Sequence, residues 1–303
     1  MAVYVVGDFL RETRLRKGYT QEEVSYGICT PASLSRIENG AQKPGRLILE
    51  KLFERLGTEN NLFNSFVSKE EMELYLEIQT LIRNVTDGDL QRIEEQIDIV
   101  DRLTKNTSEL ERQSLFWAKG ELATQKYCNN GKAMEYLMKA IQITLPDFDG
   151  KNPLRNHLLT FDEITIINSI AVRHAENTSL LTAIQLDMWL KEYMENRVVD
   201  GRMKTAKYPM ILYNLSCWFG SEHCHKEALD IANQGVDFCV KYGNLVAFPR
   251  LILNQGIASV ELGQIDNAKK YLHQAVTIFE TMKRMDTVEY ITTWCRNEYQ
   301  IEI

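Results

Sequence analysis

Apolar residues recur along this chain at helical spacing, and capping or turn residues punctuate them. From Val3 to Lys17 the positions Val6, Phe9, Leu10 and Thr13 share one face, and Gly18 is placed to end that helix. Thr20-Gln21-Glu22-Glu23 reads as a capping box, with Thr20 as N-cap and Glu23 reaching back. It opens a short helix with Val24 and Ile28 facing inward, on which the small Ser25 allows another helix to approach. Thr30 can cap a third helix, and Pro31 suits its first position, where a missing N–H costs nothing. Leu34 and Ile37 form its buried stripe, and Gly40 ends it. Pro44 is expected to open a fourth helix carrying Leu47, Ile48, Leu49, Leu52, Phe53 and Leu56, stopped by Gly57.

The pattern then changes. Residues 58–68 read as a linker with a short helix from Asn61 to Phe66, and Ser68-Lys69-Glu70-Glu71 is a further capping box. Paired amphipathic segments follow, of which 70–85 and 89–104 form a first, poorly matching pair. Small and apolar anchors mark four more: Gly120, Ala133, Leu137 and Ala140; Ile170, Ala171, Ala183 and Leu190; Leu215, Ser216, Ala228, Ala232 and Gly235; Gly256, Gly263, Ala268, Leu272 and Ala275. These offsets are tetratricopeptide-like, but Ala133, Ala183, Ala228 and Ala268 lie 50, 45 and 40 residues apart, so the repeats are degenerate with long loops. Pro146–Pro153 reads as a loop, Thr160-Phe161-Asp162-Glu163 caps the next helix, and a helix over about 286–300 closes the array.

At 303 residues the chain suits two domains or one domain plus an array. Its 44% apolar and 25% charged shares are those of a globular protein. No run of about 18 apolar residues predicts a membrane span, and the N-terminus lacks the basic region and cleavage site of a signal peptide. Six irregularly spaced cysteines read as reduced, mostly buried thiols. The net charge of −7 excludes a uniformly basic, histone-like coat. It is unevenly spread: residues 1–67 hold nine basic and eight acidic side chains, net +1, which leaves −8 on the rest. Any polyanion-binding role therefore belongs to the N-terminus, where Arg11, Arg14, Arg16 and Lys17 cluster.

Two short helices joined by a tight turn form a helix-turn-helix, whose second helix offers its N-terminal residues to the DNA major groove. Here those are Thr30, Pro31, Ala32 and Ser33, with Arg36 one turn on. Arg36 can reach a guanine edge or a phosphate, Thr30 and Ser33 can donate to either, and Pro31 and Ala32 can pack on a thymine methyl. Gln21, Arg16 and Lys43 are placed for phosphate. The plainer alternatives are a paired Arg36, an ordinary first-turn Gln21 and a loop lysine at Lys43. In the repeats, Asn214 and Asn254 each lie 14 residues before an alanine anchor, and Asn168 lies 15 before Ala183. Such a column of amides can pair with the backbone of an extended peptide. Arg250, one turn before Asn254, can take a carboxylate; Arg173, Lys204 and Lys207 are looser candidates. Each asparagine is equally open to an interhelix hydrogen bond.

The run Thr20-Gln21-Glu22-Glu23-Val24-Ser25 with Ser33-Leu34-Ser35-Arg36-Ile37-Glu38-Asn39-Gly40 resembles the Xre/Cro family of repressor-like domains, over about residues 5–57. That resemblance implies a pair between Arg14 and Glu38 tying the first helix to the third. A repressor-like head on degenerate tetratricopeptide-like repeats resembles the RRNPP group of peptide-pheromone regulators, PlcR-type and Rgg-type in layout. The fold expected is all-α: a helix-turn-helix domain over 1–67, then a right-handed helical solenoid over 68–303. The resemblance further implies a cytoplasmic homodimer, a palindromic double-stranded operator, and a short linear signalling peptide gripped by inner-helix asparagines, here Asn214, Asn254 and less surely Asn168.

Enzyme chemistry finds no motif: neither phosphate-binding glycine loop is present, nor H-E-x-x-H, nor paired C-x-x-C. No cofactor or metal is expected; His223-Cys224-His225 near Cys217 is too adjacent to converge on one ion. A rival reading makes the chain a repeat-based adaptor whose head does not act as a peptide-gated DNA reader.

Overall fold

The computed structural model describes residues 6–58, 69–105, 109–177, 179–197, 199 and 201–303. The fold is all-α, and among the described residues there is no strand. The head contains α1 (Val6–Arg16), α2 (Gln21–Ser25), α3 (Pro31–Glu38) and α4 (Arg46–Arg55). Local chemistry sets these limits. Thr20 Oγ1 accepts the Glu23 N–H at 3.1 Å while Glu23 Oε2 accepts the Thr20 N–H at 2.7 Å, a complete capping box. Thr30 caps α3 through the Ser33 N–H, with Pro31 in the first turn. Leu10, Val24, Leu34, Leu52 and Leu56 are fully enclosed in the head core.

Two expectations shift. Helix α2 ends at Ser25, because Gly27 turns the chain at φ +67°; Ile28 is buried from the turn rather than from the helix. Helix α4 starts at Arg46, not at Pro44, with Gly45 as N-cap; the Glu71 carboxylate accepts the Arg46 N–H at 2.6 Å. The short helix expected over Asn61–Phe66 and the cap at Ser68 lie outside the described residues.

Helix pairs follow: α5 (Lys69–Asp87) with α6 (Leu90–Leu103), and α7 (Gln113–Gln125) with α8 (Asn130–Gln142). Next come α9 (Phe161–Asn177) and α10 (Leu180–Asn196), then α11 (Gly201–Ser221) and α12 (His225–Tyr242). The chain finishes with α13 (Phe248–Glu261), α14 (Ile265–Thr281) and a closing α15 (Met285–Tyr299). The small anchors explain the pairing. A Cβ on Gly256 would strike Leu272, and Ser216 Oγ donates to the Ala228 carbonyl at 2.9 Å, so the helices of these pairs approach closely. No described helix is long and apolar enough to cross a membrane.

By contacts the chain forms two units, residues 1–189 with 195–201, and residues 190–194 with 202–303. The head packs within the first. Its core runs on into Leu110, Leu158 and Ile143, and a Cβ on Gly27 would overlap the Thr144 carbonyl.

Candidate nucleic-acid interface and repeat sites

The recognition helix is held from behind by a buried ion pair. Arg14 Nε and Nη2 donate to Glu38 Oε1 and Oε2 at 2.7 and 2.9 Å, a bidentate fork, and Arg14 Nη1 donates to the Tyr19 carbonyl at 3.0 Å. The hydrogen bond to Glu38 raises the Arg14 pKa despite burial. Gln21 Nε2 donates to Glu38 Oε2 at 2.7 Å, so this predicted phosphate contact also ties α2 to α3. Buried, bidentate pairs of this kind fix geometry more than they add stability.

In front, Thr30, Pro31, Ala32 and Arg36 are exposed and Ser33 is half-buried. A relay links them: Thr30 Oγ1 donates to Ser33 Oγ at 2.9 Å, Arg36 Nη2 donates to Ser33 Oγ at 3.0 Å, and Arg36 Nε donates to Gln42 Oε1 at 3.0 Å. Arg36 is thus both presented to solvent and oriented by its neighbours. Arg16 and Lys43 are exposed. The basic run of α1 is therefore not a uniform solvated face. Arg14 is internal, and Lys17 Nζ donates to the Leu56 carbonyl at the end of α4, where burial lowers its pKa.

Sequence reasoning missed the junction behind the head. Lys51 Nζ donates to Asp162 Oδ2 at 2.7 Å and to Gln113 Oε1 at 2.9 Å. Arg55 Nη2 meets Glu163 Oε1 at 2.7 Å with both side chains fully enclosed. Arg55 Nη1 also donates to the Tyr26 carbonyl of the helix-turn-helix turn. Glu54 Oε2 accepts the Phe161 N–H at 3.0 Å. Burial, and then the nearby Asp162 charge, push the Glu54 carboxyl up to about 8. Burial pulls Lys51 down, but Asp162 and Glu54 outweigh it and raise its pKa. Glu163 also closes a capping box: Thr160 N–H donates to its Oε2 at 2.6 Å. The head is therefore seated on the N-terminus of α9 by buried charge.

Among the repeat candidates, Asn168 Nδ2 donates to both oxygens of the buried Asp187, at 3.2 and 3.0 Å, across to α10. Arg173 is buried on α9; its pairing to Glu176 at 3.3 Å leaves Nε with no hydrogen-bond partner. In the second unit, Asn214 is half-buried on α11. Asn254 is buried on α13 and donates to Cys217 Sγ at 3.2 Å. Arg250 stacks over Tyr213, 5.7 Å from the ring centroid. Lys204 and Lys207 are half-buried on α11. Asn254 also lines a cavity of about 280 Å³ between α11, α13 and α15, with Cys217, Glu261, Trp294 and Tyr299. Burial pushes the Cys217 thiol up, and the neighbouring Tyr213 to about 12, so these two groups stay neutral beside Asn254. None of the described His, Cys, Asp and Glu residues group as a metal site.

The helix-turn-helix domain family matches residues 5–66. YqaF, an HTH-type transcriptional regulator of Bacillus subtilis strain 168, is 38% identical over 63 residues, covering 20% of this chain and 83% of the relative. The chain belongs to the HTH-type transcriptional regulators. Beyond the head, the regulator is similar in fold to Bacillus thuringiensis PlcR in complex with the peptide PapR7 and DNA. The TM-score is 0.61 at 19% identity, over 95% of this chain and 98% of that one. The apo form of the same PlcR gives 0.58 at 18%, with the same coverage. At such identity the likeness speaks to fold, and it extends the head-plus-repeats layout over nearly the whole regulator.

Proposed function

We propose that this regulator binds a palindromic operator as a cytoplasmic homodimer, and that a short linear peptide held by its repeats controls that binding. The exposed start of α3, with Arg36 oriented by Ser33 and Gln42 on a locked head, is the observation that carries the DNA reading. Thr30, Pro31, Ala32 and Ser33 face base edges, while Arg16, Gln21 and Lys43 meet phosphate. One head buries only roughly 600–1,000 Å² on DNA, so two heads are needed for useful affinity and set the half-site spacing. The division at residue 67 into a DNA-reading head and a repeat region is part of the same reading. For the peptide, the structural likeness to the PlcR complex supports the repeats as its seat. Asn214, Asn254 and Arg250 are its contacts in the second unit, and Asn168 and Arg173 those in the first.

The test is capture of fragmented genomic DNA by the purified regulator, sequenced, with Arg36→Ala in parallel. Enrichment of one palindromic site, lost in the variant, is expected. No enrichment, with or without short peptides added, would favour the adaptor reading. Asn214→Ala with Asn254→Ala should abolish the peptide response and leave operator binding by the unliganded protein intact.

A further inference from the structure

The cavity between α11, α13 and α15 has a chemical direction. At its enclosed end lie Asn254, 8% exposed, and Cys217; at its open end lies Glu261, whose side chain is 38% exposed. Asn254 and Glu261 are seven residues apart on α13, two turns along one face and roughly 10 Å in rise. The wall between them is apolar, formed by Ile257, Ala258, Ala228 and Gly220. Trp294 and Tyr299 close the open end as an edge-to-face pair, centroids 5.0 Å apart and rings at 90°.

Glu261 is short of positive charge. Tyr299 Oη donates to its Oε1 at 2.9 Å, and His225 Nε2 stands 3.9 Å from its Oε2. Among the described residues no lysine or arginine is paired with it. A carboxylate beside an indole and a phenol, at the mouth of an apolar slot, complements a side chain with an aliphatic stem and a cationic head. The stem covers apolar wall while the head meets carboxylate and ring face. An amino terminus supplies the charge but not the stem.

We propose that this cavity is the subsite for an arginine or lysine side chain of the bound peptide, with Asn254 holding peptide backbone at its inner end and Glu261 the cation at its mouth. The assignment rests on the peptide reading, and it adds a specificity: one basic position in the ligand.

The experiment uses the full-length protein and two capped probes, N-acetyl-arginine N-methylamide and its neutral isostere N-acetyl-citrulline N-methylamide, titrated by saturation-transfer NMR. The arginine probe should bind about tenfold more tightly than the citrulline one, as expected for a charge pair backed by an aromatic face. Glu261→Gln should erase the difference, and Trp294→Phe should narrow it. Equal binding of the two probes, a preference that survives Glu261→Gln, or no saturable binding of the arginine probe would overturn the assignment. Leucine N-methylamide, with a free ammonium and no cationic side chain, binding as well as the arginine probe would also overturn it, in favour of an amino terminus. A random short-peptide library on immobilised protein separates the two readings. Peptides retained without a basic preference sink the subsite alone, whereas no retained peptide sinks the peptide reading itself.

Discussion

Arg55→Met and Glu163→Gln should each destabilise the first unit severely, and the double variant Arg55→Met/Glu163→Met should recover much of the loss. The pair is 2.7 Å apart with both side chains at zero exposure, so neither charge has water to fall back on. Removing one partner of such a pair leaves an uncompensated buried charge, at about 3–5 kcal/mol. Arg55→Met belongs at the top of that range. It also strips a donor from the Tyr26 carbonyl and leaves Glu163 beside the Asp162 carboxylate. Glu163→Gln belongs at the bottom, because an amide oxygen can still accept the Thr160 N–H. At roughly 2–4 °C per kcal/mol for a unit of this size, the single variants should lower its melting temperature by about 6–20 °C. With two apolar side chains the desolvation penalty disappears with the attraction, and replacements of this kind are often neutral or better. Differential scanning calorimetry of the parent, Arg55→Met, Glu163→Met and the double variant closes the cycle and gives the coupling energy directly, with Glu163→Gln as the conservative control. Single losses under about 1 kcal/mol that simply add in the double variant would refute the argument, since they describe a solvated pair.

Three further outcomes follow from the same contacts. The Glu54 carboxyl titrates near 8 in the fold against 4.5 unperturbed, so between those values the folded state holds a proton that the unfolded state has released. Stability should therefore fall as pH rises from about 4.5 to 8 and level off above, and Glu54→Gln should flatten most of that slope in urea titrations. Gly27→Ala should cost at least about 2 kcal/mol, from left-handed backbone strain plus overlap with the Thr144 carbonyl. Gly18→Ala, at φ +75° with nothing within 4 Å, should cost only the strain, and equal losses would deny the close approach. On operator DNA, Arg36→Ala should lose about 1–3 kcal/mol with relaxed sequence preference, whereas Lys43→Ala should weaken all sequences alike and reduce the salt slope by about 1; swapped signatures would reverse the two assigned roles.

Much of the head was legible because its signals are local. Thr20 with Glu23, Thr30 with Pro31, and Thr160 with Glu163 each announce a helix start within four residues, and all three caps form. The repeat anchors were legible for a related reason. Close helix pairs need small residues at the crossing, and Ser216, Ala228 and Gly256 stand at such contacts whatever the loop lengths. The matched relatives then show the head to be that of a transcriptional regulator.

What stayed hidden is long-range and polar. Glu50, Lys51, Glu54 and Arg55 fall on one stripe of α4, and in sequence that stripe is indistinguishable from a solvent face with paired charges. Lys51, Glu54 and Arg55 find partners 107 to 111 residues away at the start of α9, and no local spacing encodes them. One signal was available. Asp162 and Glu163 sit in the first turn of a helix, where the backbone dipole already favours carboxylates. The bases Lys51 and Arg55 of that stripe complement an acidic helix start once the fold brings them together. The asparagines show the same limit. Register placed Asn254 and Asn168 on inner helices, but their donors already bond to Cys217 and Asp187. A ligand that takes those amides must therefore exchange one hydrogen bond for another and leave the buried Asp187 satisfied. Such an exchange yields little net energy, since the protein partner loses what the ligand gains. Affinity must come from groups with unspent capacity, and among the described residues the under-neutralised Glu261 carboxylate is one.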